Sequence, residues 1–244
     1  MDKVVESAAA AVRDIPDGAS IAVGGFGTAG VPWELVAALL DHGAKDLTVV
    51  TNNCGINGVG LVRLLQERRI SKVIASYFGQ NLEFARRYLA GEIEVELTPQ
   101  GTLAERLRAG GAGIAAFFTP TGVGTVVAEG GLPRRYDAGG DVAVASPAKE
   151  VRTFTVRGRA REFVLEESIV TDYAFVRAAV ADRHGNAVFH AAAMNFNPDA
   201  AMAGHVTVVE AERVVEPGEI DPDAVHLPGV FVQKVIAVDT GRIE

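Results

Sequence analysis

Hydrophobic and polar positions follow two alternating periods along this chain. Short apolar runs of strand length are separated by stretches in which apolar residues recur every three or four positions, as on one face of a helix. The first half predicts helices at 2–13, 32–42, 59–69 and 82–90, and strands at 21–23, 47–51, 72–77, 93–97 and 114–118. Such alternation predicts an α/β fold, with a mostly parallel sheet and helices on both of its faces.

Residues 119–164 interrupt this alternation. They are rich in glycine, proline and charged residues, and they predict an excursion of loops and short antiparallel strands. Further strands are predicted at 173–180, 187–190, 206–210 and 231–238. We therefore expect a single domain over residues 1–244, with an inserted β-rich lobe at about 119–164.

The most informative local pattern is a glycine-rich loop between the first predicted β-strand and the helix that follows it. The apolar run Ile21 to Val23 suits a buried strand, and Pro32 is tolerated in the first turn of the next helix. Between them lie Gly24, Gly25, Gly27 and Gly30. A strand, a glycine loop and a helix N-terminus in this order expose backbone N–H groups to an anionic or carbonyl-bearing ligand.

Part of this loop matches the dinucleotide-binding pattern G-x-G-x-x-G, through Gly25-Phe26-Gly27-Thr28-Ala29-Gly30. That function also needs an acidic residue at the end of the second strand, to hold the ribose hydroxyls. Here the second strand ends in Thr51-Asn52-Asn53, so nicotinamide or flavin binding is disfavoured. A turn with a purely structural role is the other alternative, because glycines are common in tight turns.

Composition and charge exclude several other functions. A net charge of −8 argues against nonspecific nucleic-acid binding, and no apolar stretch is long enough to span a membrane. The five histidines lack metal-ligand spacing, so we expect no metal site. The single cysteine, Cys54, excludes an internal disulfide and is expected to be a small buried residue. Together with the lack of a recognisable signal peptide, this predicts a cytoplasmic protein.

The wider pattern around the glycine loop, from Asp17-Gly18 to Pro32, resembles the signature of family I coenzyme A transferases in their A, or α, subunit. Further segments carry the likeness as far as Val238, and within the family it is greatest to A subunits of succinyl-CoA:3-ketoacid transferases, with 3-oxoadipate transferases next. These segments are Ser76-Tyr77, Asn81, Glu83-Phe84, Glu94 to Arg106, Phe118 to Thr125, Asp182-Arg183, Gly185-Asn186, Asn195-Phe196-Asn197, His226 to Gly229 and Val232-Gln233.

The resemblance implies covalent catalysis by a glutamate that lies on a second subunit. In that family the glutamate attacks the acyl-CoA carbonyl to give a mixed anhydride and then an enzyme–CoA thioester, with ping-pong kinetics. Its Glu-Asn-Gly-type context is missing here, and the carboxylates of Glu129 and Glu166-Glu167 are interpreted as solvated. We therefore expect a B-subunit partner in an A2B2 heterotetramer, and no cofactor beyond coenzyme A as a thioester substrate.

Two groups of residues are candidates for contact with substrate. The loop Gly24 to Gly30 is implied to bind the CoA substrate, with Phe26 either forming a hydrophobic wall or filling the core. Gln100, after strand 93–97, could donate to a substrate carboxylate or oxyanion without acting as a nucleophile, or could bond within its own turn. Asn52 and Asn53, at the end of their strand, could line the substrate or cap turns.

The helix that follows strand 93–97 is predicted to begin with a capping box formed by Thr102 and Glu105.

One departure from the family pattern affects specificity. Relatives usually carry a lysine and an arginine shortly before Asn-Phe-Asn, where this sequence has Ala191 and Met194. If that arginine pairs with a dicarboxylate or with the partner, its loss changes specificity or the interface. The expected function is the A subunit of a 3-oxoacid CoA-transferase that uses succinyl-CoA. The alternatives are the corresponding component of a 3-oxoadipate transferase, a hydrolase or lyase-linked relative, and a non-catalytic relative that binds CoA or a sugar phosphate.

Overall fold

The computed structural model describes residues 1–55, 60–79 and 81–238, and its first half alternates strands and helices as the periodicity predicts. The strands are β1 (Ser20–Val23), β2 (Leu47–Asn53), β3 (Ile70–Tyr77) and β4 (Glu94–Leu97). The helices are α1 (Ala8–Val12), α2 (Trp33–His42), α3 (Leu61–Gln66), α4 (Leu82–Leu89) and α5 (Gln100–Gly111).

A lobe of small antiparallel sheets follows α5. It consists of β5 (Ala116–Thr119), α6 (Val126–Glu129), β6 (Pro133–Tyr136), β7 (Val142–Ala145), β8 (Val151–Val156) and β9 (Arg159–Glu167). One sheet has the order β5-β9-β8, and the other is the pair β6-β7. The prediction that strand 114–118 is the last strand of the alternating series of strands and helices was wrong. This segment forms β5, which pairs antiparallel with β9 of the lobe.

The last part of the chain returns to the main sheet. Its elements are β10 (Thr171–Asp182), β11 (Ala187–Val188), a 3-10 turn at Ala191–Met194, α7 (Asn197–Ala203), β12 (Gly204–Val215), 3-10 turns at Pro222–Ala224 and Gly229–Phe231, and β13 (Lys234–Ala237). The sheet order is β13-β12-β10-β1-β2-β3-β4, in which all neighbours are parallel, and β11 adds an antiparallel pair to β10.

Helices cover both faces of this sheet, because alternate residues of a strand point to opposite sides. Ile21 and Val23 of β1 pack in a core that includes Leu35 and Leu39 of α2. Ala22 belongs instead to a second core, with Leu103 and Leu107 of α5 and alanines of α7. The predicted α/β class with a mostly parallel sheet is confirmed.

The N-terminal helix is shorter than predicted. Helical structure begins only at Ala8, where the Ser7 hydroxyl accepts a hydrogen bond from the Ala10 N–H. Before it, the Val5 N–H donates to the Val235 carbonyl, and the Val235 N–H donates to the Lys3 carbonyl. Pairing with β13 therefore overrides the helical periodicity of residues 2–7. Other bounds also differ: β11 ends at Val188, α3 ends at Gln66, and β13 covers only Lys234–Ala237. Position 59 of the predicted helix 59–69 lies outside the described residues.

The predicted capping box at the start of α5 was wrong. The helix begins earlier, at Gln100, with Pro99 as its N-cap residue and no side-chain cap. Thr102 lies inside the first turn with a buried hydroxyl that has no partner among the described residues, and Glu105 pairs with Arg108. The proline supplies the extended residue that precedes the helix, so the N-terminus is reached before Thr102. No helix among residues 1–55, 60–79 and 81–238 is long and apolar enough to cross a membrane.

Candidate active site

The glycine loop lies where the strand order of the sheet reverses. From β1 the chain adds β2, β3 and β4 on one side, and it later adds β10, β12 and β13 on the other. Ligands of open α/β sheets bind at the carboxyl ends of the strands beside such a switch point. The loop Gly24 to Gly30 leaves the carboxyl end of β1 there, and the Gly24 N–H still donates to the Phe175 carbonyl of β10, at 2.9 Å.

The loop folds into a tight turn that projects from the sheet. Phe26 and Ala29 exchange two backbone hydrogen bonds of 3.0 Å, which leaves Gly27 and Thr28 at the tip. Within the described residues, the backbone N–H groups of Gly25, Gly27, Thr28 and Gly30 have no partner. The Phe26 side chain is half exposed, so it does not fill the core. The loop therefore presents free donors and one aromatic ring.

Asn197 holds this loop from below. Its fully buried side chain donates through Nδ2 to the carbonyls of Gly30, at 3.0 Å, and Ala193, at 2.8 Å. A Cβ at Gly30 would lie only 2.6 Å from the Ala193 oxygen, and one at Gly24 would overlap the Asn197 side chain. Asn195 adds a hydrogen bond of 3.1 Å from Nδ2 to the Ala29 carbonyl. The Asn-Phe-Asn segment, singled out in the sequence without a role, supports the loop.

The N-terminus of α2 is already occupied by a side chain of the protein. Glu210 Oε2 accepts the N–H groups of Glu34, at 3.0 Å, and Leu35, at 3.1 Å, while Oε1 accepts Arg177 Nη1 at 2.8 Å. Burial raises the pKa of Glu210 to about 7, although the Leu35 N–H and Arg177 act in the opposite direction. The expectation that this helix end exposes its N–H groups to a ligand was therefore wrong. The sequence signal for this contact between Glu210 and α2 was a single glutamate within the apolar run Val208-Val209-Glu210-Ala211.

A second polar group lies at the same edge of the sheet, around Gln100. Gln100 Nε2 donates to Asn52 Oδ1 at 2.7 Å, and Ser76 Oγ donates to the same oxygen at 2.7 Å. Gln100 is exposed, and its side-chain hydrogen bond among the described residues goes to Asn52 rather than to its own turn. Asn52 is buried beneath it, which corrects its assignment as a substrate-lining residue. Asn53 is also buried and accepts from Asn52 Nδ2 at 3.4 Å.

These two groups share an edge, but no hydrogen bond joins them within the described residues. The glycine loop follows β1, whereas Asn52 and Ser76 lie in the last residues of β2 and β3, and Gln100 follows β4. A ligand lying along the carboxyl ends of the parallel strands would therefore contact both groups in turn.

The carboxylates and the thiol that the sequence offered as nucleophiles have different surroundings. Glu129 is exposed, as expected. The interpretation of Glu166 as solvated was wrong, because it is buried and pairs with Lys149 at 2.6 Å. Cys54 is buried as predicted, and burial raises the pKa of its thiol. None of these three groups is both exposed and activated.

The two positions where basic residues were expected lie on the surface beside the glycine loop. Ala191 and Met194 are exposed and bound the short 3-10 turn that leads into Asn195. No lysine or arginine occurs between Arg183 and Arg213. This side of the loop therefore carries no positive charge from its own segment. Among the residues that the structure describes, no cluster of three or more histidine, cysteine or acidic side chains could hold a metal ion.

Comparison with known proteins decides the family. The sequence profile of the coenzyme A transferases matches residues 5–238 of this chain. This chain belongs to the coenzyme A transferase family. The family resemblance that the motifs indicated is thereby confirmed.

Two members of the coenzyme A transferase family differ in length in an informative way. The A subunit of a probable succinyl-CoA:3-ketoacid coenzyme A transferase from Mycobacterium bovis is 62% identical over 238 residues, which are 98% of this chain and 94% of that protein. The human mitochondrial succinyl-CoA:3-ketoacid coenzyme A transferase 2 is 49% identical over 225 residues, which are 92% of this chain but only 43% of the human protein.

A solved structure shares the fold of this coenzyme A transferase chain. The acyl-CoA transferase of Escherichia coli, determined as a thioester complex with CoA, superposes with a TM-score of 0.79 at 24% identity. The match covers 97% of this chain and 47% of the E. coli chain. The parallel sheet and its helices are therefore those of the family.

Proposed function

We propose that this chain is the A subunit of a 3-oxoacid CoA-transferase, which moves CoA from succinyl-CoA to a 3-oxo acid such as acetoacetate. The observation that carries the proposal is the near-complete match, at 62% identity, to a protein of similar length that is named as a probable A subunit of a succinyl-CoA:3-ketoacid coenzyme A transferase. The site supports it physically: free backbone donors and an exposed amide lie at one sheet edge, but the candidate nucleophiles of this chain are solvated, paired or buried.

The proposed reaction needs a carboxylate from a partner B subunit. That carboxylate attacks the succinyl-CoA carbonyl, and the CoA thiolate leaves to give a mixed anhydride. The thiolate then attacks the glutamyl carbonyl, which releases succinate and forms an enzyme–CoA thioester. The carboxylate of the 3-oxo acid then attacks this thioester and expels the CoA thiolate, which gives a second mixed anhydride. The thiolate attacks the 3-oxoacyl carbonyl of that anhydride, which forms 3-oxoacyl-CoA and releases the glutamate. Each thioester is replaced by another, so no cofactor beyond the CoA substrate is required.

The residues of this chain would bind and stabilise rather than attack. Each step forms a tetrahedral species whose oxyanion needs preorganised donors. The free N–H groups of Gly27 and Thr28 and the exposed amide of Gln100 would be donors of this kind. We assign the loop Gly24 to Gly30 to the CoA substrate and Gln100 to a carboxylate or oxyanion. Asn52 would orient Gln100 from below.

The proposal includes a quaternary structure and a cellular location. More than half of the human relative lies outside the matched part, which supports a second half supplied by a separate B subunit here. We propose an A2B2 heterotetramer of the two polypeptides. A single buried cysteine and the lack of a predicted disulfide support a reducing compartment, and we propose the cytoplasm.

The test is reconstitution. This chain and its candidate B subunit are purified separately, and CoA transfer from succinyl-CoA is assayed with acetoacetate and with 3-oxoadipate as acceptors. We expect activity only from the mixture and a preference for acetoacetate. Transfer by this chain alone would contradict the proposed division of labour. A preference for 3-oxoadipate would instead change the acceptor.

A further inference from the structure

Glu210 is a fully buried carboxylate that the chemistry proposed above does not use. It lies within β12, and its side chain is completely covered. Burying a carboxylate is unfavourable unless hydrogen bonds and an opposite charge compensate for its lost hydration. Glu210 has both: two backbone N–H groups of α2 and the guanidinium of Arg177. Its placement therefore ties β12 to the first turn of α2.

The same network reaches the other side of the glycine loop. The backbone N–H of Arg177 donates to Asn197 Oδ1 at 3.0 Å, and Asn197 Nδ2 holds the Gly30 carbonyl. Arg177 is buried as well, and the far side of its guanidinium binds Glu212 at 3.0 Å. Arg177 thus joins Asn197, which holds the end of the loop, to Glu210, which holds the helix that follows.

We propose that Glu210 is a positioning residue: through the first turn of α2 it fixes the glycine loop in the conformation that receives the CoA substrate. The inference rests on the proposed function, because it needs the loop to contact that substrate. It also bears on how the loop meets the substrate. The anion position at the N-terminus of α2 is taken by the protein's own carboxylate. This helix end is therefore closed to the phosphates of the substrate, and contact with the substrate falls to the loop itself, through the N–H groups of Gly27 and Thr28.

The test compares two substitutions that affect the same arginine. E210Q keeps the shape of the side chain but removes its charge and presents an NH2 group to other donors. E212Q removes the other carboxylate on Arg177, which is partly exposed and whose hydrogen bonds within the described residues go to Arg177 and not to α2. Both variants are assayed as complexes with the B subunit, by steady-state kinetics and by hydrogen exchange of peptides that cover residues 24–36.

We expect E210Q to exchange faster in these peptides and to lose about tenfold in kcat/KM for succinyl-CoA, mainly through KM, because the loop is less well oriented. E212Q should stay within about twofold of the wild type in both measurements. E210Q with wild-type exchange, or with faster exchange but unchanged kinetics, would overturn the proposal. So would an equal loss in E212Q, since the effect would then belong to Arg177 alone.

A second variant covers the outcome in which E210Q does not assemble. E210D keeps the charge for Arg177 but is one methylene shorter, so it cannot reach both the guanidinium and the helix. It should show faster exchange at residues 33–36 and a smaller loss of kcat/KM than E210Q. A folded E210D with wild-type exchange and kinetics would refute the positioning role. A wild-type complex without transferase activity would count against the proposed function, and the exchange data would still decide whether Glu210 orders the loop.

Discussion

Single residues at the edge of the sheet have roles set by what lies beneath them. Gln100, after β4, and Asn52, at the end of β2, are both amides, and the sequence favoured Gln100 for contact with substrate without showing how the two are related. In the structure Gln100 is exposed, whereas Asn52 is buried and binds both Gln100 and Ser76. Exposure therefore separates a residue that can meet a substrate from one that orients it.

Replacing Gln100 by alanine should lower kcat by about 100-fold, because one donor to a developing oxyanion or carboxylate is removed. The unfolding free energy should change by less than about 1 kcal/mol, since an exposed side chain contributes little to stability. Steady-state kinetics of the complex with the B subunit and urea unfolding of this chain measure the two effects. Gln66→Ala, an exposed glutamine on α3, is the matched control. A loss of stability with unchanged kcat would return Gln100 to a structural role.

At the scale of elements, the start of each helix on the substrate side is built differently. α2 has its first N–H groups bound by Glu210, whereas α5 begins at Gln100 with no side-chain cap. α4 begins in a third way, in which Asn81 Oδ1 accepts the Phe84 N–H at 2.9 Å.

Glu83, in the first turn of α4, binds Arg86 and Arg87, and Arg87 also donates to the Gln66 carbonyl of α3. The Glu83 segment quoted in the family pattern thus joins two helices.

This ion pairing predicts a pH effect on stability. Hydrogen bonds from Arg86 and Arg87 lower the pKa of Glu83 to about 2, below its value in the unfolded chain. A carboxylate with a lowered folded pKa stabilises the protein above its unfolded pKa, and this contribution is lost as the pH falls from about 4.5 towards 2. Glu83→Gln should therefore lose less stability than the wild type over that range, as measured by Tm. Glu67→Gln, at the exposed glutamate that follows α3 as its C-cap residue, should follow the wild type. Identical pH profiles for wild type and Glu83→Gln would contradict the prediction.

For the whole molecule, the order of the strands locates the site and the lobe is attached beside it. The reversal between β1 and β10 places the glycine loop at the switch point. Beyond β4, one partly buried ion pair joins the lobe to the sheet, and a second lies within the lobe. Glu96 of β4 binds Arg134 of β6 at 3.2 Å, and within the lobe Lys149 binds the buried Glu166 of β9 at 2.6 Å.

Lys149→Met should destabilise the chain by about 3 kcal/mol, because it leaves the buried carboxylate of Glu166 without a partner. Adding Glu166→Leu should recover most of this loss, since the uncompensated charge is then absent. Urea unfolding at pH 7 measures both. Lys45→Met, at an exposed lysine, is the control and should change the unfolding free energy by less than about 0.5 kcal/mol. If the double variant were no more stable than Lys149→Met, the buried charge would not be the cause.

Hydrophobic periodicity and glycine spacing are properties of neighbouring residues, so they were enough to predict the α/β class, the glycine loop and the family. The folded structure was needed to show that residues 3–5 pair with β13, that β5 joins the lobe, and that Asn52 lies beneath Gln100. It alone showed that Glu210 fills the N-terminus of α2, since that contact joins residues 176 positions apart. The physical reason is that a buried polar group takes whatever partner the packing brings to it, and local sequence does not encode that partner.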